Sequence, residues 1–213
     1  MKYYAGIGSR ETPLWAGDIL TQVGEKLALE GWVGRSGGAP PKAGFVSADQ
    51  CFQKGAQKAQ GSFVVYLPKS SFYGQTSKTP CCVVPKETFP EAWAEASQIA
   101  QAFHPNWQAL IHGKYPDLAN LMIRNVFQVL GDDLKTPSRF VLCYAKGSQW
   151  EGVGKDAHIV NVQGGTGQAV RIANHYGIPV YNIAEMVHLH KIIKWLNISI
   201  PDEIKPMMRS LKS

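Results

Sequence analysis

Three short stretches carry the residue types that can hold an anion: Gly6-Ile7-Gly8-Ser9-Arg10, Arg35-Ser36-Gly37-Gly38-Ala39 and Gly164-Gly165-Thr166-Gly167-Gln168. Glycine lets a phosphate oxygen approach main-chain N–H groups that a Cβ would screen. A helix beginning at such a loop adds unpaired donors and about half a positive charge. Ser36 and Thr166 can add hydroxyl donors, and Arg10 and Arg35 can add charge-assisted forks. The GxGxxG dinucleotide fingerprint fails after the first strand, where "GIGSRE" ends in Glu11, and no GxxxxGK[ST] occurs. Ordinary dinucleotide dehydrogenases and phosphate-loop NTPases are therefore excluded.

Other chemistry is sparser. Asp49 opens a helical pattern, and Glu151 and Asp156 lie in a glycine-rich segment. Trp150, in that same segment beside the third loop, is the first candidate for stacking on a base, and Tyr73 is the second. His188 and His190 stand two apart and do not share a helical face; the other histidines are scattered. Cys51, Cys81, Cys82 and Cys143 form no CxxC pair, so no zinc site is expected and reduced thiols are. No resident cofactor is expected.

The elements that must position these residues follow from periodicity. Lys2–Ile7 reads as a strand. Thr12 before Pro13 reads as an N-cap and a first-turn proline, with a helix from Pro13 to Glu30 stopped by Gly31. Trp32–Arg35 is a short strand, 40–47 a loop, Ala48–Gln60 a helix and 62–68 a buried strand. Residues 69–88 read as a polar loop. A helix then runs to Phe103, "HPNWQAL" breaks it, and another spans Pro116–Leu130. "SRFVLCYA" is the next strand, 146–162 a flap or hairpin, Thr166–Tyr176 a helix, Val180–Ile183 the last strand and 185–196 a closing helix. Alternating strands and helices predict an α/β fold of three layers: a mostly parallel, Rossmann-like central sheet with helices on both faces. In such a sheet all three glycine loops fall on the carboxyl edge, where ligands bind.

At 213 residues with 45% hydrophobic composition, one sizeable domain over 1–200 is expected, followed by a loosely held basic tail at 201–213 containing Lys205, Arg209 and Lys212. No apolar run is long enough to span a membrane, and the N-terminus lacks a signal-peptide core, so a cytoplasmic protein is expected. The net charge of +6 suits an anionic partner. Lys and Arg are dispersed, however, which is weaker than a dedicated DNA-binding arm shows.

The segments "GIGSRETP", "RSGGA" with "ADQCFQKGA", "MIRNVFQVLG", "PSRFVLCYAKG" and "GGTGQAVRIANHYGIPVYN" resemble the SLOG superfamily. This Rossmann-like group unites DNA-processing protein A with the Lonely Guy phosphoribohydrolases. The nearest branch is formed by phage-encoded proteins labelled DNA-processing-protein-A-like. The likeness runs through most of residues 3–183, is poor across 67–88 and is absent from the tail. It implies a nucleotide or nucleotide-derived ligand at the strand carboxyl edge. Ser36-Gly37-Gly38 and Gly164-Gly165-Thr166-Gly167 would hold its phosphate, with Arg124 facing the same pocket; the loop residues Gly8, Ser9, Arg10 and Gln168, and Asn125 beside Arg124, complete the set of binding candidates. It also implies a homodimer or higher homo-oligomer, and the host cytoplasm if the protein is phage-encoded. Asp49 is the one catalytic candidate. Where Lonely Guy enzymes read PGGxGTxxE, this chain has Gln168 at the threonine and Arg171 at the glutamate. Gln53 stands where the phage branch has a glutamate. N-glycoside hydrolysis wants carboxylates, so these departures weigh against catalysis and leave nucleotide binding intact. Three readings stay open: a protein that senses or sequesters a nucleotide signal, a nucleoside-monophosphate N-glycosidase, and a single-stranded DNA-binding recombination mediator.

Overall fold

Apolar residues alternate along the strands between two helical layers, and this alternation sets the architecture. In β1 (Lys2–Gly8), Tyr4 enters one core while Ala5 and Ile7 enter the other. The computed structural model describes residues 1–113 and 117–206. After β1 come α1 (Leu14–Leu29), β2 (Trp32–Ser36), α2 (Ala48–Lys58), β3 (Phe63–Tyr66), β4 (Ser71–Phe72), β5 (Gln75–Thr76) and β6 (Cys82–Val83). The chain continues through α3 (Pro85–Thr88), α4 (Pro90–Ala102), α5 (Trp107–Ile111), α6 (Asp117–Leu130) and β7 (Val141–Tyr144). It ends with β8 (Gln149–Glu151), β9 (His158–Asn161), α7 (Thr166–His175), β10 (Val180–Asn182) and α8 (Met186–Leu196).

Six strands form one parallel sheet in the order β10-β7-β1-β2-β3-β6. Strand order reverses between β1 and β7: the chain leaves β1 towards β2 and returns on its other side through β7. This is the switch point of a doubly wound sheet, and it opens a crevice at the carboxyl ends. α1, α2 and α8 cover one face, with Leu20, Phe52 and Ile192 fully or nearly fully buried; α4, α6 and α7 cover the other through Ala100, Phe127 and Ile172. The expected α/β, Rossmann-like architecture is the one observed.

Several local expectations give way. Pro13, not Thr12, is the N-cap of α1; its φ of −67° and ψ of 156° are extended. Thr12 instead donates its hydroxyl to Ser9 O and pairs with Val46 in an isolated antiparallel bridge, which ties residues 40–47 to the first loop. Residues 69–88 are not a bare loop. They hold the β4–β5 hairpin, the edge strand β6 and the short α3. "HPNWQAL" does break the preceding helix, yet a five-residue helix, α5, forms within it. Segment 146–162 is a hairpin, β8–β9. Pro116 lies outside the described residues, as do Arg209 and Lys212. The described start of the tail is anchored, because Ile204 is buried in the core beside α8 and Lys205 pairs with Asp202.

All four cysteines are free. Among the described residues no helix is long and apolar enough to cross a membrane, and no group of three or more His, Cys, Asp or Glu could hold a metal ion.

Candidate functional site

A cleft of about 570 Å³ opens at the switch point. Gly8, Ser9 and Arg10 line it from the first loop, Ala39 and the following Pro40 from the end of the second, and Gly164, Gly165 and Thr166 from the third. Main-chain bonds fix the first loop across the switch point: Ser9 N–H donates to Tyr144 O at 2.8 Å, and Ala48 N–H donates to Ser9 O at 3.1 Å. A Cβ on Gly8 would lie 2.6 Å from Tyr144 O, so only glycine lets β1 and β7 close at this point.

The floor of the cleft is a buried ionic network. Asp49, in the first turn of α2, and Arg124, on α6, are 4% and 6% exposed, with Arg124 Nη1 3.9 Å from Asp49 Oδ2. Burial pushes the Asp49 carboxyl above its usual range; Arg124 and the N–H groups of Ala39, Gly8 and Gly37 pull the other way. Burial likewise lowers the Arg124 guanidinium, and Asp49 opposes that shift. With its amide turned to satisfy both donors, Gln128 accepts from Arg124 Nη1 and, at 2.8 Å, from Gly37 N–H. The guanidinium lies so close over Gly37 that a Cβ there would coincide with it. Arg124 Nε has no partner among the described residues and is buried.

The third loop presents donors. α7 begins at Thr166 with Gly165 as its N-cap and no side-chain cap. Gly167 N–H turns back to Gly164 O at 3.1 Å, whereas no acceptor among the described residues takes the N–H of Gly164, Gly165 or Thr166. Helix starts leave such groups free for an anion. Lys146, at the end of β7, lines the same side. Of the cations on the cleft, Lys42 is paired with Glu11 and Arg124 faces Asp49. Arg10 donates Nε to Pro40 O at 2.8 Å and makes no ion pair with a described carboxylate, and neither does Lys146.

Not every residue proposed from the sequence reaches the cleft. Asp49, Arg124 and Asn125 line it, together with Gly8, Ser9, Arg10, Gly164, Gly165 and Thr166. Arg35 does not: strand alternation sends it under the sheet, where Nη1 donates to Thr136 O at 2.7 Å and the guanidinium stacks 3.7 Å from the Tyr3 ring centroid. Ser36 is wholly buried with its hydroxyl unpartnered, and Gly37 lies behind Arg124. Gly38 is held away by its carbonyl, which accepts from Gln75 Nε2 at 3.0 Å. Gly167 and Gln168 lie under the loop. Gln168 accepts from Asn125 Nδ2 at 3.1 Å and donates to Ala100 O at 3.0 Å, so its side chain is spent joining α7 to α4 and α6.

Arg171 does not line the cleft: half-buried, it donates to Phe103 O at 3.0 Å and Asn161 Oδ1 at 2.6 Å. Gln53 sits outside the cleft, donating to Cys81 Sγ at 3.5 Å. Trp150 also lies outside it; its ring packs 5.1 Å from that of His188 on α8. Tyr73, the second stacking candidate, does line the cleft.

Sequence reasoning missed Gln128, Lys42 and Lys146. Gln128 had a signal: it follows Arg124 by four positions and so shares its helical face. Gln168→Leu should cost about 1–3 kcal/mol by orphaning Ala100 O and one bond of Asn125. A denaturant titration should show this as a lower midpoint with an unchanged slope.

Fold and cleft together define a Rossmann-like α/β protein with a ligand-sized, cation-lined crevice at its switch point. Three solved structures are similar to it. The molybdenum cofactor carrier protein of Chlamydomonas reinhardtii is 16% identical, over 85% of this chain and 76% of that one, with a TM-score of 0.45. The molybdenum cofactor binding protein of the phototrophic bacterium Rippkaea orientalis is 17% identical, over 100% and 98%, with a TM-score of 0.46. DNA processing protein A of Helicobacter pylori is 13% identical, over 92% and 79%, with a TM-score of 0.46. Likeness at this level concerns the fold alone. No family model and no curated protein matches the chain.

Proposed function

We infer that the protein binds a nucleotide or nucleotide-derived phosphorylated ligand in the switch-point cleft, with the phosphate at the start of α7. The observation that carries this reading is that three N–H groups with no acceptor among the described residues, at Gly164, Gly165 and Thr166, belong to residues lining a cleft that also holds Lys146 and Arg10. Main-chain donors at a helix start suit a phosphate, and two cations without carboxylate partners raise its local concentration. A cleft of about 570 Å³ is within the usual size of small-molecule sites.

Sensing or sequestration follows more readily from this site than turnover. Among the described residues the cleft has two carboxylates. Asp49 faces Arg124 and is engaged by main-chain donors, while Glu11 is paired with Lys42. Hydrolysis of an N-glycosidic bond is the second reading, favoured by a carboxyl, Asp49, on the floor of the cleft that burial shifts in the direction a general acid needs.

Isothermal titration of the purified protein with nucleoside mono- and diphosphates, cyclic nucleotides and ADP-ribose derivatives tests the binding reading. At least one should bind with micromolar affinity; absence of binding by the whole panel at millimolar concentration would overturn it. Release of free base in the same mixtures would promote the hydrolytic reading.

A further inference from the structure

The cleft has two unlike ends. At the α7 end stand the free N–H groups and Lys146. At the other end, the β4–β5 hairpin contributes Phe72 and Tyr73 and the first turns of α6 contribute Leu118 and Leu121, with Phe72 and Leu121 in one apolar cluster. Lys69, just after β3, pairs with Asp117 at 2.7 Å and holds the start of α6 beside the hairpin.

The hairpin turns on Tyr73 and Gly74, with φ of 50° and 80°. Positive φ at both central positions is the type I′ turn, which Asn-Gly forms at least cost. A bulky aromatic in the left-handed region costs about 1 kcal/mol or more, so its presence calls for a function. Burial does not explain it: Tyr73 is 64% exposed. Its ring meets Phe72 edge-on at 4.7 Å, and the Arg10 guanidinium lies 5.6 Å from its centroid, so the ring is held in place while still open to the cleft. Between the two ends, Arg124 lines the floor with a buried Nε that has no acceptor among the described residues.

We propose that the β4–β5 hairpin is the specificity element of the cleft and selects ligands in which a planar aromatic ring is joined to the phosphate, the ring stacking on Tyr73. The proposal rests on the binding reading above and adds to it the position of the ring and the exclusion of plain sugar phosphates. An exposed tyrosine offers a stacking face to any base. Phe72, Leu118 and Leu121 remove apolar edges from water. A sugar phosphate reaches the α7 end but leaves this wall unused.

Calorimetry on the whole protein with AMP, ribose 5-phosphate and inorganic phosphate tests it, together with Tyr73→Asn. Asparagine suits the turn, so this variant keeps the hairpin and removes only the ring. AMP should bind at least about tenfold more tightly than ribose 5-phosphate. Tyr73→Asn should erase that advantage and leave ribose 5-phosphate unchanged. Equal affinity of the two ligands for the native protein, or a parallel loss of both in the variant, overturns the proposal while leaving the phosphate site standing. Failure of all three ligands to bind overturns this proposal, and silence of the whole nucleotide panel overturns the phosphate site with it.

Discussion

Arg124→Met is expected to destabilise the protein by about 3 kcal/mol. Removing one member of a buried ion pair leaves the other charged in a poor solvent, at a typical cost of about 3–5 kcal/mol. The lower figure applies because Asp49 keeps the N–H of Ala39, which donates to Oδ2 at 3.2 Å. The loss should depend on pH in a definite direction. Burial already holds the Asp49 carboxyl above its ordinary range, and Arg124 is the largest influence opposing that. Without the guanidinium the folded-state value climbs further above the unfolded one. A carboxyl raised on folding binds its proton more tightly in the native state. Its stabilisation is therefore greatest below the unfolded value and is lost as pH rises through the folded one. Urea titrations of native and variant protein at pH 7 and pH 5 should show the gap between them narrowing in acid. A gap that is constant, or wider at pH 5, would mean that Asp49 is not the group left stranded.

Gly165→Asp should move stability and binding in opposite directions. Gly165 precedes α7 with φ of −62° and is exposed, and a Cβ there meets only the flexible end of Met122, at 3.3 Å. The new carboxylate therefore fits. At a helix start it interacts favourably with the dipole and the free N–H groups, worth about 0.3–1 kcal/mol. The same carboxylate occupies the donors assigned to the phosphate and repels it. Two like charges about 4 Å apart near a surface cost up to ~4 kcal/mol, so affinity should fall by about a hundredfold or more. Thermal unfolding should show an equal or higher midpoint, and calorimetry with AMP should show the loss. Gly165→Asn, which adds bulk without charge, should lose much less. Unchanged AMP affinity in the aspartate variant would place the phosphate elsewhere.

Much of this architecture can be read from the residues alone. Strands such as "FVVY" and "VLCY" announce themselves by unbroken apolar character, and the six strands of the central sheet run the same way, which puts the glycine loop after β1 on the carboxyl edge; the one before α7 reaches it past the β8–β9 hairpin. What a linear reading cannot supply is side-chain direction within a motif. Arg35 and Ser36 are neighbours in sequence but point to opposite faces of β2, and neither faces the crevice. Gln168 and Arg171 follow the third loop closely, yet the turn of α7 carries both onto α6, α4 and β9. The β4–β5 hairpin was hidden for a different reason. Its strands are two residues each, too short for alternation to register, and its turn carries tyrosine where asparagine is the usual signal. Asp49 and Arg124, by contrast, were nameable as site residues, though their pairing through Gly37 and Gln128 needed the folded chain.

If main-chain amides at the start of α7 hold the phosphate, a backbone 15N–1H titration of the native protein with AMP should give saturable shifts that are largest at Gly164, Gly165 and Thr166. Saturable shifts confined to some other surface, with those three resonances unmoved, would contradict that assignment.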